Sequence, residues 1–375
     1  MKAAISRTIT RTLTNPTLRD LRWSLAAARR KITGSKPVVH YFHQPDDPYS
    51  HLAASLLPQL QARYKVRFES HIVPPPSAEN APDLERLREW SERDAQRLAS
   101  HYKLIPVSEF SAPDGGELHN RLGHYLGATF YFEGEWYWGI DRLHYLERRL
   151  ADAGLATGSF QPLAPPPALQ LRERPENVRA PVLHYFCSLR SPYTWIATPR
   201  IRQLADHYGA ELKLRFVLPM VMRGLPVPLR KRLYILRDTK REAERLGLPF
   251  GMVADPVGMP TERGLAVLHY AVALNKGPDF LDSFLRGVFA EGIDAGTDNG
   301  LHHIAQRAGI TSEQVNAALA DNSWRDAAET NRSEMLTSGL WGVPSFRIDD
   351  RPALWGQDRI WMLEQELIAS LAQRS

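Results

Sequence analysis

Val182-Leu183-His184-Tyr185-Phe186-Cys187 followed by Ser188-Leu189-Arg190-Ser191-Pro192-Tyr193 reads as a strand that runs into a helix start. The first six residues are apolar and aromatic, as a strand requires. Pro192 suits the first turn of a helix, and Ser191 suits its cap. The helix is expected over Pro192–His207. Glu211–Leu218 then reads as a second strand, and strand, helix and strand together make a βαβ unit with a parallel pair.

The same phrase occurs earlier in the chain. His40-Tyr41-Phe42 with Asp47-Pro48-Tyr49 stands 144 residues before His184-Tyr185-Phe186 with Ser191-Pro192-Tyr193. Arg67-Phe68 recurs as Arg215-Phe216, and Trp138-Gly139-Ile140-Asp141-Arg142 as Trp355-Gly356-Gln357-Asp358-Arg359. Order is kept while spacing drifts. A repeat this long implies two tandem copies of one domain and not a solenoid.

In the first copy Pro37–Phe42 and Lys65–Val73 are the expected strands, with a helix through Leu52, Leu56 and Leu60 between them. A polar helix follows over roughly Asp83–His101. Ala128–Phe132 and Glu135–Trp138 flank Glu133-Gly134 as a hairpin, and a last helix starts at Asp141. In the second copy a long, largely helical insertion (residues 220–340) follows the second strand. Ser345–Ile348 and Ala353–Trp355 then form the hairpin, and Asp358 opens the last helix. The pattern βαβ, helical insert, ββα describes an α/β chain of two thioredoxin-like folds in tandem. The expected divisions are a basic arm at 1–36, a first domain at 37–154, a proline-rich linker at 155–181 and a second domain at 182–375.

The composition is that of an ordinary globular chain. No apolar run reaches the ~20 residues that span a bilayer. The single cysteine, Cys187, excludes an internal disulfide framework and thiolate-cluster metal sites. It fits a reducing compartment, and a cytoplasmic location is expected. Residues 2–36 hold nine basic side chains against one acid, Asp20. Leu18, Leu21, Leu25 and Ala28 have helical spacing there. A frayed arm, a helix packed on the body and weak contact with an anionic membrane surface are the readings that remain open. Without the arm the body is nearly neutral, so no nucleic-acid partner is expected.

Arg190-Ser191-Pro192-Tyr193, Gly342-Val343-Pro344 and Trp355-Gly356-Gln357-Asp358-Arg359, in that order, make residues 182–371 resemble the DsbA-like thioredoxin superfamily. Within it the resemblance is to the branch of 2-hydroxychromene-2-carboxylate isomerases and kappa-class glutathione transferases. Arg223-Gly224-Leu225-Pro226-Val227-Pro228 and Arg241-Glu242-Ala243 also resemble that branch's insertion. Redox members carry Cys-Pro-x-Cys at the helix start. Here Ser191-Pro192-Tyr193-Thr194 has no thiol, and dithiol exchange needs two.

The resemblance implies glutathione as cosubstrate and no metal. Ser191 would donate to its thiolate, helped by the helix dipole. The backbone of Val343, before a cis Pro344, would pair with the cysteinyl backbone. Gln357 and Asp358 would receive the γ-glutamyl end, Asp358 pairing its ammonium. Arg190, Tyr193 and Arg223 are candidates for contact with a small-molecule substrate. Plain capping remains an alternative for Ser191 and Asp358. The reaction expected is isomerisation or transfer on an aromatic-derived substrate, with a second copy of the chain as a further partner. The alternatives are a non-catalytic binding or chaperone-like protein and, against the cysteine count, a thiol–disulfide oxidoreductase.

The first copy departs from this pattern. Asp47 stands where Ser191 does, and Ala128-Thr129 is aligned with Val343-Pro344. An acid at that position repels an anion, so the first copy is read as a degenerate partner domain. His40 and His43, three apart at a strand end, lack the further ligands a metal needs. Phosphate-loop and nucleophile-elbow motifs are absent.

Overall fold

The structure, a computed structural model, describes residues 2–175 and 178–374. Met1, Glu176, Asn177 and Ser375, from the expected arm, linker and C-terminal domain, lie outside it. Two four-stranded sheets carry the chain. The first consists of β1 (Val38–His43), β2 (Arg67–Ile72), β3 (Thr129–Phe132) and β4 (Glu135–Trp138), in the order β2-β1-β3-β4. The second consists of β5 (Val182–Cys187), β6 (Glu211–Phe216), β7 (Ser345–Ile348) and β8 (Leu354–Trp355), in the order β6-β5-β7-β8. In each sheet the first two strands in sequence pair in parallel, and the other pairs are antiparallel. The expected parallel pairing holds from Val182↔Glu211 to Cys187↔Phe216.

Two compact units enclose these sheets. The first unit comprises Pro16–Pro167 and Val227–Tyr234. The second comprises the chain up to Asn15, Ala168–Pro226 and the residues from Ile235 onward. The central strands β1 and β5 share one burial pattern, with Leu183, Tyr185, Phe186 and Cys187 inaccessible in β5. A central strand covered on both faces is apolar throughout and not alternating, which is why 182–187 reads as a continuous run.

The same tertiary hydrogen bonds recur in both units. The Tyr41 hydroxyl donates to the Ser50 carbonyl at 2.6 Å, and Tyr185 to that of Thr194 at 3.1 Å. Tyr49 donates to Asp94 at 2.7 Å, and Tyr193 to Asp238 at 2.8 Å. Tyr64 donates to Glu147, which also accepts the Leu163 amide. Tyr208 donates to Glu364, which also accepts the amides of Gln170 and Leu171. In each unit a carboxylate from the last helix thus pins an irregular proline-rich stretch, whose amides have no ladder partner.

In the insertion of the second unit, helices Met259–Ala273 and Gly277–Arg286 pack on each other, and the latter also packs on the Ser191 helix Pro192–Tyr208. A Cβ on Gly264 would lie 2.5 Å from Phe284 and 2.7 Å from Leu189, so only glycine allows that approach. The N-terminal arm forms two helices, Lys2–Leu13 and Pro16–Thr33. In the second unit, Ser6 donates to the Val253 carbonyl and Arg7 to that of Gly292. In the first, the Arg149 guanidinium lies 4.7 Å from the Trp23 ring centroid, and Arg30 pairs with Glu133 at 2.7 Å.

Candidate functional site

Ser191 caps the seventeen-residue helix Pro192–Tyr208, the Thr194 amide donating to its Oγ at 3.1 Å. Pro192 at the first helical position has no amide to satisfy, Trp195 closes the first turn by donating to the Ser191 carbonyl at 3.2 Å, and the dipole adds positive potential at this end. With its oxygen occupied by Thr194, the hydroxyl keeps its proton to donate. Sheet register brings the proline loop beside it. Ser345 pairs with Phe186, so Pro344 stands level with Cys187, at the end of the strand leading to Ser191. The Val343–Pro344 peptide is cis. The Gly356 amide donates to the Pro344 carbonyl at 2.9 Å, which brings Gln357 and Asp358 to the same end of the sheet.

Gln357 is 1% exposed and its amide is enclosed. Its oxygen accepts from Arg200, and its nitrogen donates to Glu242 at 3.1 Å and to Asp358. Arg245 holds the same Glu242 at 2.6 Å. Burial, and then the like charge of Arg245, pull the Arg200 guanidinium down to about 10, while Glu242 and Asp358 oppose them. At neutral pH Arg200 is therefore charged. It ties the third turn of the Ser191 helix to the Gln357 backbone and side chain. Gln357 thus orients Asp358 from within the wall.

The three substrate candidates are placed differently. Arg190 forms a two-pronged ion pair with Asp255, at 2.7 and 2.8 Å. Tyr193 is held by Asp238. Arg223 closes the short helix Met220–Arg223, its guanidinium pushed down by burial and by Arg332. The nearby aromatic surface comes from residues the sequence reading did not select. Trp341 and Trp355 meet with ring centroids 4.5 Å apart. A Cβ on Gly342 would lie 2.5 Å from the Trp355 ring, so this glycine admits the indole beside the proline loop. A shallow groove of about 770 Å3 lined by Trp195, Arg202, Asp206, Pro249 and Asp282 includes none of the expected site residues.

Cys187 is buried, and burial drives its thiol pKa well up. It has neither a second thiol nor the thiolate character that exchange requires.

In the first unit Asp47 caps the helix Pro48–Ala54. It accepts from the Tyr49 amide at 3.3 Å, the Ser50 amide at 3.0 Å and the Ser50 hydroxyl at 2.7 Å. Burial raises its carboxyl to about 6 against these hydrogen bonds. The sequence alignment of Ala128-Thr129 with Val343-Pro344 is corrected by one residue. Phe42 pairs with Thr129 as Phe186 pairs with Ser345, and the Gly139 amide donates to Ala128 as that of Gly356 does to Pro344. Ala128 therefore occupies the Pro344 position, at a φ of 54°. Without a proline as anchor, only strand pairing sets this register.

Residues 182–368 match the family of the DSBA-like thioredoxin domain, and through this half the chain belongs to that family. A 2-hydroxychromene-2-carboxylate isomerase of Pseudomonas sp. (strain C18) is 19% identical over 191 residues, 49% of this chain and 88% of that protein. A crystallised 2-hydroxychromene-2-carboxylate isomerase is 21% identical, with a TM-score of 0.43, over 51% of this chain and 97% of its own. The cytosolic disulfide reductase DsbM from Pseudomonas aeruginosa is also 21% identical, with a TM-score of 0.41, over 51% and 97%.

Proposed function

We propose that the second unit is a glutathione-dependent isomerase or transferase acting on a small aromatic-derived substrate, and that the chain is a tandem duplication whose first copy has lost this site. The carrying observation is the Ser191 hydroxyl, which heads a seventeen-residue helix with its oxygen occupied and its proton left to donate. The matched tyrosine hydrogen bonds of the two units support the duplication.

The residues present fit glutathione. Bound there, it would supply a thiolate able to add reversibly to an unsaturated carbon and leave after bond rotation. Ser191 donates to the sulfur and, with the dipole, lowers its pKa. The Val343 backbone offers an edge for an extended peptide. Asp358, oriented by Gln357 and Arg200, receives an ammonium group. The paired indoles of Trp341 and Trp355 form an apolar wall for an aromatic substrate. A disulfide reductase reading lacks the chemistry, because the sole cysteine is sealed in the sheet.

The test is the thiolate absorbance of bound glutathione against pH. Ser191→Ala should raise the bound thiol's pKa by about one to two units, the worth of one hydrogen bond to a charged group. An unchanged titration returns Ser191 to a plain helix cap.

The basic arm suggests a second contact. Leu18, Leu21, Leu25 and Ile32 are exposed along one stripe of Pro16–Thr33, flanked by Arg22 and Arg29. We propose that this stripe lies weakly on anionic lipid. Among the described residues no helix is long and apolar enough to cross a membrane. Co-sedimentation with anionic but not neutral vesicles is the expected result.

A further inference from the structure

The first unit holds a cluster of donors that the proposed function does not use. His40 on β1 and Glu69 and His71 on the edge strand β2 face the same side of the sheet, because His40 pairs with Glu69 and Phe42 with His71. His40 Nδ1 lies 3.0 Å from His71 Nε2 and 3.4 Å from Glu69 Oε2. All three donor atoms lie within 4.8 Å of one another. Ligand atoms around a tetrahedral zinc-type ion are separated by about 3.3 Å, given bonds near 2.0–2.1 Å. The His40–His71 and His40–Glu69 separations already lie close to that spacing.

Packing presets these side chains. The His71 ring stacks on Phe42, with centroids 5.1 Å apart and planes at 25°. Behind it, a Cβ on Gly115 would lie 2.4 Å from the His71 Cβ. Arg67 pairs with Glu69 Oε1 and leaves Oε2 toward His40. An outer partner that orients a ligating carboxylate in this way is a regular part of metal sites. The side chains of His40 and Glu69 are 23% and 31% exposed, so an ion has access.

The second unit supplies an internal control. Its register pairs His184 with Lys213 and Phe186 with Arg215. Two cations there replace Glu69 and His71, and Arg215 donates to His184 Nδ1 at 3.2 Å.

We propose that His40 Nδ1, His71 Nε2 and Glu69 Oε2 form a site for a divalent transition-metal ion of the zinc type, with a fourth position open to solvent. This departs from the expectation of no metal. His43 is not a ligand, since it is buried against Phe110 on the opposite side of β1. The missing ligands come instead from β2. Imidazole and carboxylate donors favour such ions over calcium or magnesium, and three protein ligands with one open position suit an ion that exchanges a water or a small anion.

The experiment titrates the untagged full chain with Zn2+ by calorimetry and with Co2+ by visible ligand-field absorption. One ion per chain, with a tetrahedral Co2+ spectrum, is expected. His40→Gln and His71→Gln should abolish the one-to-one isotherm, and Glu69→Gln should weaken it. His184→Gln should leave it unchanged. Circular dichroism of each variant checks that it is folded. Absence of saturable binding by the wild-type chain overturns the proposal, and so does binding that survives in the His40→Gln/His71→Gln double variant.

Discussion

The two units build sheets of the same strand order and finish them with different electrostatics at the same place. Where the helix after β5 begins, Ser191 offers a neutral hydroxyl; where the helix after β1 begins, Asp47 offers a carboxyl whose pKa burial raises to about 6. Both cap their helices through side-chain oxygen, so capping alone does not distinguish them. The difference is what remains to meet a ligand. Ser191 keeps a proton to donate, whereas ionised Asp47 presents negative charge and has its oxygens occupied by Ser50 and Tyr49. The histidine-rich strands reverse the contrast, since the first unit has Glu69 and His71 where the second has Lys213 and Arg215. A shared fold thus carries two differently charged sets of side chains, and function follows the set.

The comparison can be broken most strongly at the carboxylates that pin each unit. Glu364 accepts from Gln170, Leu171 and Tyr208, whereas Glu147 accepts from Leu163 and Tyr64. Glu364→Ala should destabilise the second unit by about 2 to 3 kcal/mol, and Glu147→Ala the first by about 1 to 2 kcal/mol, because each strands a tyrosine hydroxyl and part-buried amides, one amide more in the second unit. Urea unfolding measures both. Equal losses would deny the difference in pinning.

Ligand binding sharpens it next. Calorimetry with glutathione should give one site per chain. Asp358→Ala should weaken it about ten- to a hundredfold, the loss of one charge-assisted hydrogen bond. The matching change Asp141→Ala should leave affinity unaltered, as should Asp47→Ala. Two sites per chain, or loss in Asp47→Ala alone, would assign binding to the wrong unit.

A smaller effect concerns Asp47 itself. Its folded pKa of about 6 lies above the usual carboxylate value of 3.8. The folded state therefore holds the proton more tightly. Its stabilising effect is present below about pH 4 and is lost as the pH rises to about 6. Asp47→Asn should accordingly stabilise the first unit above pH 6, with little gain at pH 4. Ser191→Ala should cost about 1 kcal/mol at either pH, as the loss of a neutral cap. Chemical denaturation at the two pH values separates them.

Much of the second unit was legible because its signals are local. Ser191-Pro192 marks a helix start, and the run 182–187 marks a buried strand. The first unit's proline loop was misread by one position because Ala128 carries no local signature, and only its pairing with β1 sets the register. Gln357 was placed against a ligand because the sequence does not show that Arg200 and Glu242 reach it, from 157 and 115 residues away. The interior arginine at Arg200, beside Pro199 in a helix, was a signal that could have been followed. His40 was set aside for want of partners, although Glu69 and His71 alternate along a strand already expected to lie parallel to its own.

By itself, then, the sequence determined the order of the strands, the two thioredoxin-like sheets and the position of the helix cap at Ser191. These rest on periodicity, turn chemistry and capping, which act over a few residues. Tertiary structure alone decided that Gln357 supports Asp358, that Arg190 is tied to Asp255 and that His40 meets His71. Such contacts join side chains far apart along the chain, and their partners are chosen by strand register and helix packing, which no local pattern encodes.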